Sequence, residues 1–182
     1  MIALVILIII ITIVLAVLLT KVRVKKSNKE AILRWNSTGI TMAGVTGQRG
    51  NTSDKLFTPR GIGIDWSNAL YIADSGNSRV QKYSKNASVG ETVAGEGSGI
   101  AGMGDEFLSD PYDVVVDLNE NVFVADSPNQ RIQLWTRGSS QGTTIAGTTG
   151  VANKSANTLK SPYGITYDSI TGGIYISDSG NF

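Results

Sequence analysis

Residues Tyr71–Tyr83 read "YIADSGNSRVQKY": a short apolar run, a cluster of Asp, Ser, Gly and Asn, then Arg79 opening a second run. The cluster has the residue types of a catalytic site. It recurs, however, as "VADSPNQRIQLW" ending at Trp135 and as "YISDSGN" ending at Asn181, so that Asp74, Asp126 and Asp178 lie about 52 residues apart. A residue that takes the same place in every repeat belongs to the architecture, because the repeat supplies it wherever a ligand binds. The stretch therefore marks where two strands reverse.

Its neighbours repeat at the same interval. "PRGIGID" begins at Pro59, "PYDVVVD" at Pro111 and "PYGITYD" at Pro162, while "TMAG", "TVAG" and "TIAG" begin at Thr41, Thr92 and Thr144. Each unit reads as four short strands, with Gly, Asn, Asp and Ser at the joins. In the first strand Ile62 and Ile64 share one face, and Gly61 and Gly63 point the other way. Four strands recurring at this period predict an all-β fold, a β-propeller of four-stranded blades. The small residues of the first strand suit the crowded inner edge, where blades converge on a central channel.

The combination of "PRGIGID", "LYIADSGN" and "RVQ" resembles the NHL repeat of six-bladed propellers, over about residues 31–182. Two departures stand out: Asp113 where the pattern has Gly, and Pro128 where it has the turn Gly. The unit is also longer than usual, the excess lying in glycine-rich segments such as "EGSGIAGMGDEFLSD", expected to be surface loops. Residues 31–44 predict a partial blade with outer strands "AILRW" and "GITMAG". Residues 59–95 and 111–147 predict whole blades, and 162–182 the start of another. About three blades' worth of strands cannot close a ring. The expectation is a propeller completed beyond Phe182, with head-to-tail pairing of two chains as the alternative.

Comparing the copies assigns the candidate residues. Asp74, Asp126 and Asp178 are expected to cap nearby backbone N–H groups in Asx-type turns, with Asn77, Asn129 and Asn181 as turn residues. Arg79 and Arg131 are placed to pair with an acid of the same blade. Because Pro128 replaces Gly76 and Gly180, that position has no need of a left-handed backbone. Asp65, Asp117 and Asp168 could form a calcium ring, but each is better read as the Asp that opens a hairpin ("DWSN", "DLNE", "DSIT"). Partner binding is expected where copies differ on one face: Arg60, Tyr112 and Tyr163 precede the first strand, near the channel mouth. Asn36, Asn51, Asn86 and Asn153 begin glycosylation sequons.

Composition narrows the chemistry. The 182 residues include no His and no Cys, which removes the usual zinc sites, Ser-His-Asp triads and disulfides. Met1–Thr20 is uncharged and apolar, and about 20 residues of helix span a bilayer core. It reads as an uncleaved membrane anchor (residues 1–20). It is too long for a signal peptide, and no basic residue precedes it. Lys21–Arg34 holds six basic residues and one Glu, so residues 21–30 read as a juxtamembrane linker meeting anionic headgroups. Residues 35–182 sum to −4, which disfavours nucleic acid as a partner. The sequons favour an extracellular or luminal domain, while the basic cluster after the anchor argues the reverse.

The sequence thus predicts a single-pass membrane protein whose propeller is a scaffold for a protein or glycan partner, with no catalysis, cofactor or metal. Two alternatives follow from the resemblance. One is a calcium-dependent propeller enzyme of lactonase or lyase type. The other is a tripartite-motif type propeller that recognises RNA or ubiquitin-ligase substrates.

Overall fold

The computed structural model describes residues 38–181, in which the four-strand unit is formed twice in full. Strands β1 (Ile62–Ile64), β2 (Leu70–Asp74), β3 (Arg79–Tyr83) and β4 (Glu91–Ala94) make one antiparallel sheet in sequential order. Strands β5 (Asp113–Val116), β6 (Val122–Asp126), β7 (Arg131–Trp135) and β8 (Thr143–Gly147) make a second. A third begins with the pair β9 (Pro162–Tyr167) and β10 (Ile174–Asp178). The registers match: Ile72 faces Gln81 as Val124 faces Gln133, and both full blades carry a bulge at the same place in the third strand, Val80/Gln81 and Ile132/Gln133.

Strand alternation divides each sheet into two faces, and both faces of the middle blade are buried. Val114, Val122, Val124 and Trp135 pack against Tyr71, Ala73 and Val80 of the first blade. On the opposite side Phe123, Ala125 and Ile132 pack against Ile165, with Tyr167, Ile174 and Ile176 around it. Glycine permits the close approach at the inner edge. A Cβ on Gly61 would come within 2.5 Å of the Asp113 Cα, and one on Gly63 within 3.1 Å of the Val114 carbonyl. The outer faces of the first and third sheets are covered only in part: Ile72, Gln81 and Tyr83 of the first are buried, while other equivalent positions are open. Ile62 is 63% exposed where its equivalent Val114 is fully buried, and Tyr175 is 63% exposed where Tyr71 is 1%.

One expectation is corrected. Residues 39–44, "GITMAG", form no strand: an outer strand needs the ladder of a third strand, and no described residue provides one. The glycine-rich segments are largely exposed, as expected of surface loops, and are anchored to the blades. Each doubles back on itself, with Gly50 N–H donating to Leu56 O and Gly102 N–H to Leu108 O, and Leu108 is fully buried in the core between the first two blades. Met1–Thr20, the linker at 21–30, the strand "AILRW" and Asn36 lie outside the described residues. Among the described residues no helix is long and apolar enough to cross a membrane.

Candidate interaction surface

The repeated Asp-Ser-Gly-Asn-x-Arg group is a clasp on the segment that precedes each blade. Asp74 Oδ1 accepts the Phe57 N–H at 2.6 Å, Asp126 Oδ1 the Ser109 N–H at 2.8 Å and Asp178 Oδ1 the Lys160 N–H at 2.6 Å. These partners lie 17 or 18 residues upstream, so the expected local Asx turn is corrected to a long-range cap. The second carboxylate oxygen holds the blade's own groups: Asp74 Oδ2 accepts from Asn77 Nδ2 (2.8 Å) and Arg79 Nε (2.9 Å), and Asp126 Oδ2 from Asn129 Nδ2 (2.9 Å) and Arg131 Nε (2.8 Å). In the third blade Asn181 Nδ2 donates to Asp178 Oδ2 at 2.7 Å.

The amides and guanidinium groups then reach the loop. Asn77, Asn129 and Asn181 donate to the carbonyls of Gly50, Gly102 and Asn153. Arg131 spreads its remaining N–H groups over Met103 O (2.8 Å), Gly104 O (3.0 Å) and Phe107 O (2.9 Å), the fork geometry that only guanidinium offers. Burial pushes the Asp126 carboxyl upward, against the pull of Asn129, the Ser109 N–H and Arg131. The turns Ser75–Ser78 and Ser127–Gln130 are closed by N–H to carbonyl bonds of 2.9 and 3.0 Å. Their left-handed residues are Ser78 (φ 49°) and Gln130 (φ 58°), one place after Asn77 and Asn129. Gly76 is small for a different reason: a Cβ there would meet the Phe57 ring at 2.6 Å.

At the far end of the first strands, Asp65 opens its hairpin. Its Oδ1 accepts from Ser67 N–H (2.8 Å), Ser67 Oγ (2.7 Å) and Ala69 N–H (2.9 Å). Burial works against the Asp65 charge, but the Ser67 hydroxyl, the two N–H groups and Lys82 outweigh it and hold the carboxyl below its usual range. Asp117 serves Asn119 and Asn121 in the same way, and Asp168 serves Ile170 and Thr171. Among the described residues no group of three acidic side chains converges to hold a metal ion.

Arg60, Tyr112 and Tyr163 are brought into one continuous ladder across three blades. The Arg60 guanidinium lies 3.8 Å from the Tyr112 ring centroid, and the Tyr112 and Tyr163 rings meet edge to face at 4.2 Å. Both are favourable electrostatic geometries. The hydroxyls of the two tyrosines are 3.4 Å apart, and hydrogen bonding to Tyr112 raises the Tyr163 phenol above its ordinary pKa. Arg60 is fixed from its other side by Asp110 at 2.9 Å. Tyr163 remains 44% exposed, so the ladder presents aromatic and cationic surface to solvent.

Sequence comparison missed two residues of this surface. Asp110 is the repeat's odd member, aligned with Thr58 and Ser161, and the signal for it was charge complementary to Arg60. Asp113 accepts the Ile165 N–H of the third blade, which the replacement of a motif Gly by Asp could have suggested. The same logic points to a non-repeated cluster at the opposite end. Lys82, Glu91, Glu120 and Arg137 line a cavity of about 310 Å³ between the first two blades, with Lys82 2.6 Å and Arg137 3.5 Å from Glu120. Asn51, Asn86 and Asn153 are all exposed.

Residues 58–83 match the NHL repeat family model. Among curated proteins none matches the sequence. Solved structures are similar to part of the chain. A structural genomics protein of unknown function from Bacteroides thetaiotaomicron matches at TM-score 0.51 and 23% identity, covering 61% of this chain and 30% of its own. An auxiliary nutrient binding protein from the same organism matches at TM-score 0.53 and 20% identity, covering 64% and 34%. A streptogramin B lyase matches at TM-score 0.45 and 13% identity, covering 66% and 34%. The chain spans about a third of the length of these structures. The family model thus places an NHL repeat on the first full blade, the Asp-Asn-Arg clasp recurs in the second and its Asp-Asn part in the third, and the four-stranded sheets are propeller-like.

Proposed function

We propose that the chain is a membrane-anchored NHL-type scaffold that binds a protein or glycan partner through the blade end carrying Arg60, Tyr112 and Tyr163. The observation behind this reading is the ladder itself. Three positions that the repeat leaves free to vary are filled by one Arg and two Tyr in mutual contact, partly exposed, with Arg60 also paired to Asp110. Pre-ordered aromatic and Arg side chains lose little entropy on binding, which is why they dominate interface energetics. The domain belongs, in this reading, on the extracellular or luminal side, where exposed Asn51, Asn86 and Asn153 would carry glycans. No catalytic step is assigned.

The test uses the full-length protein. Membrane preparations with Tyr163 replaced by a photo-crosslinking amino acid should capture a discrete protein adduct, and a glycan array should report any carbohydrate ligand. The triple variant Arg60→Ala, Tyr112→Ala, Tyr163→Ala should lose binding by at least about tenfold. Unchanged binding by that variant, correctly folded, would sink the proposal. A mass decrease on glycosidase treatment would support the side assigned to the domain.

A further inference from the structure

The end of the blades opposite the ladder carries apolar residues where turns are expected to be polar. Trp66 and Leu118 follow the hairpin-opening Asp65 and Asp117 directly, and Ile170 follows Asp168 by two. All three are exposed: Trp66 70%, Leu118 66% and Ile170 93%. The first strands of the three blades lie side by side in one direction, so these turns share one end. Trp66, Leu118 and Ser169 line a single shallow cavity there. Val89, in the turn between β3 and β4, is also exposed at this end, because β3 runs in the direction of β1.

The charges at this end are arranged to tolerate a lipid surface. Asp65, Asp117 and Asp168 spend their oxygens inside their own turns. Glu120 is paired with Lys82 and Arg137, and Lys82 also lies 3.9 Å from Asp65. Lys85 is exposed in the β3–β4 turn, while the exposed acids Glu91, Asp105 and Glu106 stand farther out at the rim, the last two against the β7–β8 turn. Isolated apolar fingers, one per blade and separated by polar Ser67, Asn68 and Asn119, make a poor continuous face for a rigid partner. They fit a fluid interface, in which headgroups solvate the polar turn while Trp, Leu and Ile enter the acyl boundary.

We propose that Trp66, Leu118 and Ile170 rest in the interfacial layer of the bilayer, turning the Arg60–Tyr112–Tyr163 ladder away from the membrane. This rests on the membrane-anchor reading of Met1–Thr20. The tether supports it: residues 21–37, at no more than about 3.5 Å each, reach at most about 60 Å, which keeps the domain near the surface.

The chain has no cysteine, so one introduced thiol carries a label uniquely. Full-length Leu118→Cys, and Pro128→Cys at the opposite end, would be labelled with an environment-sensitive fluorophore and reconstituted into phosphatidylcholine vesicles containing doxyl lipids. The expected result is quenching by about half at position 118 and little at 128, with relief at 118 when Trp66→Ser and Ile170→Ser are added. Equal quenching at the two positions in protein that floats with the vesicles would overturn the proposal and leave the anchor standing. Protein that fails to float would overturn the anchor reading itself. A label at 118 shielded from aqueous iodide but untouched by doxyl lipid would mean a protein occupant, and would also overturn it.

Discussion

The carboxylate of Asp113, on the inner strand of the middle blade, accepts the backbone N–H of Ile165, on the inner strand of the next, at 3.0 Å. It also caps the Val114 N–H at 2.9 Å and fills the space that Gly61 leaves open. One side chain thus ties the inner strands of the middle and third blades and lies close against Gly61 of the first. Asp113→Gly should destabilise the fold by about 1–3 kcal/mol through the stranded N–H groups, and Asp113→Asn by less, since an amide oxygen still accepts. Urea unfolding followed by circular dichroism would rank the two. Equal stability of the Gly variant and the wild type would refute the role.

Arg131 is the costliest residue of its clasp to remove. Arg131→Ala leaves the buried Asp126 without its cation and three loop carbonyls without donors, for an expected loss of about 3–5 kcal/mol. Arg131→Lys should recover only part of this, because an ammonium cannot reproduce the fork. Burial already raises the Asp126 pKa, and losing Arg131 raises it further. The folded variant then binds a proton more tightly than the unfolded chain, so its stability should increase as pH falls from 8 towards the ordinary carboxylate value. Thermal melts across that range would show the slope.

The loop 96–110 separates packing from exposure within a few residues. Leu108→Ala should cost about 2–5 kcal/mol, since the side chain is fully buried between two blades. Ile100→Ala, at an exposed site of the same loop, should stay within about 0.5 kcal/mol of wild type. Comparable effects at the two sites would mean that the loop is not part of the core.

Asp65 should contribute to acid sensitivity. Its folded-state pKa lies below the usual carboxylate value, so its contribution is present above about pH 4 and is lost as pH falls through the lower folded value. Asp65→Asn should lower stability at neutral pH and flatten the acid limb below about pH 4. An unchanged acid limb in the variant would contradict the assignment.

The blades were legible in the sequence because their signal is local and repeated. Ile72, Val124 and Ile176 mark the same strand position three times, and Asp74, Asp126 and Asp178 the same turn. The ladder was legible as three aligned positions, although nothing in the spacing said that Arg60 would stack on Tyr112 rather than stand apart from it. The reach of Asp74 was hidden for a physical reason. Asx turns and long-range caps use the same residue types, and only the folded path of the preceding loop brings Phe57 to the carboxylate. Leu108 was overlooked because one apolar residue among glycines has no periodicity to declare its face, although Leu56 and Leu159 stand at the same distance before their prolines.

The clasp moves the boundary of the repeat. Residues 45–59 are bound by Asp74, Asn77, Arg79 and the Tyr83 hydroxyl, and residues 97–110 by Asp126, Asn129 and Arg131. Each loop therefore folds with the blade that follows it, and the natural cassette runs from about Val45 to Glu96 rather than from one proline to the next. Grafts or deletions cut at Pro59 or Pro111 would hand a blade the wrong loop and leave its arginine facing carbonyls it was not shaped to hold. Cuts near 45, 97 and 148 would transfer loop and clasp together, which makes loop length a property that can be exchanged blade by blade.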